Sequence, residues 1–192
     1  MTAGDTDQVD IFALREFLGE AQHRCRCPSW HVMPALLQGV SDTHDVHPAA
    51  VVRTSWVCGE HGSNMVATVL RLIGERDHLS FVDDQRGCPT FTADLAPALR
   101  QLAVERRSGI HHLTNARPVS WFEFVQEIVS AAGKDPSMVS PIATADLDPP
   151  RPAPRPMNSV LDNFVWRSAG CTPLRDHQAP LEELVAALHG RN

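Results

Sequence analysis

Apolar positions change their rhythm near residue 49 of this 192-residue chain. From there on, short β-branched runs alternate with stretches whose apolar residues recur every three or four positions. These are the periods of buried strands and of amphipathic helices. AAVVRTSWVCG is apolar on both faces over Val51–Val57 and predicts one buried strand ending at Gly59. NMVATVLRLIGE predicts a helix over Asn64–Glu75, with Ser63 as its expected cap. LSFVDD predicts a short strand, and QRGCPT a loop broken by Gly87 and Pro89. Thr92–Arg106 predicts a helix with Asp94 in its first turn, where a carboxylate complements the helix dipole. GIHHL predicts another strand. Ser120 followed three residues on by Glu123 is a capping box opening a helix that runs to about Ala132 and stops at Gly133. DLDPPRPAPRP is proline-rich and predicts an extended, stiff segment. Asp162–Ala169 and Ala179–His189 predict closing helices. Strands alternating with helices predict α/β packing.

Residues 1–48 differ in character from 49–192. Val9–Leu18 has helical spacing and Met33–Val40 fits a short helix. Between them HRCRCPSWH shows no period, and SDTHDVHP is polar and turn-like. We therefore set 1–48 apart as an atypical N-terminal segment.

Charge narrows the partners. The net charge is −6 with no long basic run, which disfavours nucleic acid and anionic membranes. No apolar run approaches the roughly 20 residues of a membrane helix. The polar, acidic N-terminus resembles neither a signal nor a transit peptide. Cys25, Cys27, Cys58, Cys88 and Cys171 are odd in number and mostly far apart, as expected of reduced thiols in a cytoplasmic protein. Cys58 reads as a small buried hydrophobe rather than a reactive thiol. A metal is not expected. The C-x-C of Cys25 and Cys27, between His23 and His31, is tighter than zinc-site spacing. Asp83 and Asp84 have no third ligand at useful spacing. His111 and His112 are neighbours on a strand, so they point to opposite faces and cannot share one site.

Six strings, VVRTSWVCG, NMVATVLRL, VDDQRGCPTFTADLA, GIHHLTN, SWFEFVQEI and RPMNSVLD, resemble in order and spacing the dTDP-4-dehydrorhamnose reductases of the extended short-chain dehydrogenase superfamily. The likeness covers roughly residues 49–188. It implies an α/β fold made of part of a Rossmann-like parallel sheet plus a small α/β substrate-binding domain. The family reduces dTDP-4-dehydro-rhamnose with NADPH. On the matching positions, Ser55 borders the nicotinamide and Trp56 lies against the sugar, where an indole gives apolar contact and an N–H donor. Core packing is the competing reading of Trp56. Asn64 helps hold the diphosphate at a helix N-terminus, or is only a cap. Gln85 and Thr90 bond the base or sugar, and Gly87 shapes that loop. Arg155, between prolines, clamps the diphosphate or pairs on the surface with Asp162. Asn158 follows in the same stretch, and His112 is structural.

The family's other landmarks are not found. Its glycine-rich phosphate turn has no counterpart in residues 1–48, whose glycines are Gly4, Gly19 and Gly39. Its proton donor is a tyrosine four residues before a lysine, but the chain has no tyrosine and a single lysine, Lys134. We therefore assign no catalytic residue. The expectation is a truncated or frame-shifted reductase that binds a dTDP-sugar and, alone, neither NADPH nor turns over. A second polypeptide, or a homo-oligomer, is the other source of the missing half. A non-catalytic binding or regulatory subunit on the same scaffold is the alternative function.

Overall fold

A computed structural model describes residues 49–147, 149 and 153–189. The helices expected within 1–48, the His23–His31 cluster and much of the proline run lie outside the described residues.

The elements follow the expected alternation. Strands are β1 (Ala50–Arg53), β2 (Val57–Cys58), β3 (Leu79–Val82), β4 (Arg86–Gly87), β5 (Thr90–Phe91), β6 (Gly109–His112), β7 (Val119–Ser120) and β8 (Val139–Ile142). Helices are α1 (Met65–Glu75), α2 (Thr92–Val104), α3 (Trp121–Ala131), α4 (Phe164–Ser168) and α5 (Gln178–His189). Three strand pairs are parallel: β1 with β6, β2 with β5 and β3 with β8. The fourth, β4 with β7, is antiparallel. Each parallel pair is joined through at least one helix, as parallel strands require. Among the described residues β1 is paired on one side only, and all four of its residues are half-buried.

Two apolar clusters hold these elements together. The larger joins α1, α3 and α5 over β3 and β8, with Phe124, Val125, Ile128 and Val129 fully buried on one face of α3. Each such side chain contributes roughly 1.5–3 kcal/mol relative to exposure. The smaller gathers Leu95, Ala98 and Leu102 of α2 with Leu113, Trp166, Cys171 and Leu174. Helix α3 starts as expected. Ser120 Oγ accepts from the Glu123 amide at 3.1 Å while the Glu123 carboxylate accepts from the Ser120 amide at 2.7 Å.

Four local expectations are corrected. The strand over 49–59 is two strands, interrupted at 54–56 because Trp56 takes a left-handed backbone with φ 47°. The cap of α1 is Asn64, not Ser63. Its Oδ1 accepts from the Ala67 amide at 3.2 Å while its Nδ2 donates to the Gly59 carbonyl at 2.8 Å, a pair of bonds that the longer amide side chain spans and a serine hydroxyl is too short to span. The loop 85–90 carries the short ladders β4 and β5. The helix expected over 162–169 is the single turn α4.

Candidate functional site

The break between β1 and β2 builds the centre of the candidate site. A bulky residue with positive φ crowds its own carbonyl, at a cost of roughly 1–2 kcal/mol. Trp56 is held there by its surroundings. Its indole stacks on that of Trp121 with ring centroids 3.6 Å apart and planes 14° from parallel. A Cβ on Gly87 would stand 2.5 Å from Cε2 of Trp56, so only glycine lets the indole lie against this stretch of backbone. The Thr90 amide donates to the Trp56 carbonyl at 3.1 Å.

Hydroxyls gather beside it. Ser55 Oγ and Thr90 Oγ1 both donate to the Cys88 carbonyl, at 2.8 and 3.3 Å. With its proton committed, half-buried Ser55 can face a ligand chiefly as an acceptor, whereas Thr90, expected to bond the ligand, is fully buried and serves the fold. Ser55, Trp56, Gly87 and Thr90 are thus brought together around Cys88.

Asn158 is placed next to this group. The Arg86 amide donates to the Met157 carbonyl at 2.8 Å, and the Ser159 amide donates to the Arg86 carbonyl at 2.8 Å. Residues 157–159 therefore lie as a parallel bridge along β4. The Asn158 side chain is exposed, and its Oδ1 accepts from the Val160 amide at 3.0 Å. Arg155, half-buried, lies three residues before Asn158 in the proline-rich stretch. Asp162, the surface partner weighed for it, pairs with Arg167 at 2.8 Å.

Two predicted residues are used by the fold itself. Asn64, 7% exposed, spends its amide on the α1 cap and on Gly59. Gln85, 4% exposed, donates to Thr144 Oγ1 at 2.8 Å. Thr144 in turn donates to Asp84 from its hydroxyl at 2.6 Å and its amide at 2.9 Å. Those bonds, the hydroxyl's first, hold the Asp84 carboxyl below its ordinary range. Burial pushes the Cys58 thiol up to about 12 and raises Cys88 as well, so neither is a nucleophile here. The described residues contain no cluster of three or more potential metal ligands.

Sequence reasoning missed Trp121 as the partner of Trp56. It also missed a buried network behind the site. His177 is fully buried, with Nε2 2.7 Å from Glu127 and 2.9 Å from Arg117, and Nδ1 3.1 Å from the Ala116 carbonyl. Hydrogen bonds and charge from His177 and Arg117 outweigh the desolvation of Glu127 and lower its carboxyl. Arg117 and Glu127 also line a cleft of about 470 Å³ with Arg86, Glu123 and Gln126. No motif announced these contacts, which join distant parts of the chain. Trp56, Gly87 and Thr90 line neither this cleft nor a smaller one of about 270 Å³ beside Asp83 and Asp84.

Parallel strand pairs joined through helices, with a loop platform at their ends, are those of the Rossmann-like reductase and epimerase folds. Within that class, the chain belongs to the family of the RmlD substrate binding domain, whose model matches residues 38–189. It is 41% identical over 162 residues to a dTDP-4-dehydrorhamnose reductase of Streptomyces griseus, covering 82% of this chain and 51% of the relative. Among solved structures it resembles a dTDP-4-dehydrorhamnose reductase of Clostridium acetobutylicum. The TM-score is 0.68 with 36% identity, over 73% of this chain and 49% of that one. It also resembles the Bacillus anthracis dTDP-4-dehydrorhamnose reductase solved with NADP. There the TM-score is 0.64 with 33% identity, over 74% of this chain and 48% of that one. The chain spans about half the length of the curated relatives it matches. No helix among the described residues is long and apolar enough to cross a membrane.

Proposed function

We propose that this chain supplies the sugar-nucleotide-binding half of a dTDP-4-dehydrorhamnose reductase in dTDP-rhamnose biosynthesis. The observation that carries the reading is the convergence of Ser55, Trp56, Gly87 and Thr90 around the Cys88 carbonyl, with residues 157–159 alongside. In this reading the part of the half-buried Trp56 indole not covered by Trp121 makes apolar contact with the deoxysugar. Ser55 accepts from ligand hydroxyls, while Thr90, fully buried, supports the wall behind it. Arg155 donates to the diphosphate as a planar fork, with Asn158 beside it. Asn64 and Gln85, both engaged within the fold, shape the walls more than they touch the ligand.

NADPH supplies the hydride in the reaction proposed for the whole protein. The residues described here do not make up a site for it. Ser55 is the single candidate, and its hydroxyl is already bonded to Cys88.

Calorimetric titration of the full chain with dTDP, dTDP-rhamnose and NADPH tests the reading. The thymidine nucleotides should bind with a dissociation constant between about 1 µM and 1 mM, roughly −8 to −4 kcal/mol, and NADPH more weakly. No heat from either thymidine nucleotide at millimolar concentration overturns it.

A further inference from the structure

Two unfavourable features meet in one residue. Trp56 carries a bulky side chain on a left-handed backbone, φ 47°, and it stacks almost face to face on Trp121, centroids 3.6 Å apart. Aromatic pairs ordinarily favour offset or edge-on arrangements at wider separation. Neither feature is local choice, so the surroundings impose both. Gly87 leaves room for the ring, since a Cβ there would stand 2.5–2.8 Å from Cε2, Cζ2 and Nε1 of the indole. Trp121, which covers one face, is 7% exposed and fixed as the first residue of α3. Its neighbour Ser120 is held in the capping box and donates to Asp83 at 2.5 Å. Strain that persists because its surroundings over-determine it is characteristic of ligand-holding positions.

We infer that Trp121 is a positioning residue: stacked against Trp56, it holds that indole in place over Gly87 and so presents it to the sugar ring of a nucleoside diphosphate sugar. The inference rests on the reading of Trp56 as a sugar contact. Trp121 itself is too buried to touch the ligand and acts through Trp56. Its chemistry is rigidity. An indole fixed before binding loses no rotamer freedom when the sugar arrives.

The experiment uses the full chain and two readouts. Closely stacked indoles couple their transitions, giving a paired positive and negative band in far-ultraviolet circular dichroism. That couplet should disappear in Trp56→Phe and in Trp121→Leu. Calorimetry with dTDP-rhamnose and with dTDP then reads the consequence. Trp121→Leu should weaken dTDP-rhamnose at least tenfold and dTDP, which has no sugar beyond its own deoxyribose, less than threefold. Trp121→Phe, which keeps an aromatic ring in the stack, should recover most of the sugar affinity. Gly87→Ala leaves Trp121 intact but displaces the Trp56 ring, and should show the same sugar-selective loss if Trp121→Leu proves unfolded. Equal loss for both ligands, or unchanged sugar affinity after the couplet is gone, overturns the inference alone. Absence of dTDP-rhamnose binding by the unsubstituted chain overturns the reading of Trp56 and the inference with it.

Discussion

Replacing Asn64 separates two contributions held in one side chain. The residue is 7% exposed. Its Oδ1 caps α1 through the Ala67 amide, and its Nδ2 satisfies the Gly59 carbonyl at 2.8 Å. Asn64→Ala removes the cap, worth roughly 0.5–2 kcal/mol, and strands a buried carbonyl, worth roughly 1–3 kcal/mol. The expected loss is about 2–4 kcal/mol, a fall in melting temperature on the order of 5–15 °C for a chain of this size. Asn64→Ser restores an oxygen for the Ala67 amide but has no reach to Gly59. It should therefore recover only the cap, about 1 kcal/mol. Urea titration of the three proteins, followed by circular dichroism, gives both differences. An alanine variant whose urea midpoint matches the parent's refutes the argument that these bonds hold the β2–α1 turn. A serine variant as damaged as the alanine one would falsify the capping part alone. Titrating the folded variants with dTDP then shows whether Asn64 also serves the ligand.

Other consequences concern binding, pH and thiol chemistry. Arg155→Ala should weaken dTDP binding by at least about tenfold, since one charge-assisted contact is worth roughly 1.5–3 kcal/mol; unchanged affinity by calorimetry assigns Arg155 to the scaffold. The folded-state pKa of Glu127 is lowered from its ordinary 4.5, so the unfolded chain binds the proton first. Its stabilisation is present above about pH 4.5 and lost as pH falls through the lower folded value. Urea midpoints measured from pH 7 to pH 3 should drop less steeply in Glu127→Gln, and parallel curves contradict the assignment. Cys58, Cys88 and Cys171 are all buried, with Cys58 raised to about 12. A Cys25→Ser, Cys27→Ser variant should therefore show no fast thiol towards an aromatic disulfide reagent at pH 8 until urea unfolds it.

Much of the framework was legible because its signals are local. The capping box of Ser120 and Glu123 lies within one helical turn, and Asp94 announces the start of α2 in the same way. The spacing of Val66, Val69 and Ile73 is enough to mark the buried face of α1. The ordered strings pointed to the family and named Ser55, Trp56, Asn64, Gln85, Gly87, Thr90, Arg155 and Asn158 as its site positions, without saying which of them meet. Tertiary structure decided the remainder, because it turned on groups far apart in the chain. Whether Ser63 or Asn64 caps α1 depends on the Gly59 carbonyl, which only an amide side chain reaches. Gln85 turns inward because pairing of β3 with β8 carries the chain on to Thr144, beside Asp84. The run over Val51–Val57 reads as one strand from its apolar residues. It breaks because Gly87 and Trp121, brought up by their own strand and helix, hold Trp56 where an isolated strand would not put it. Local periods specify elements by repeating within a few residues, whereas a stack or a buried hydrogen bond exists only after loops have closed and partners have met.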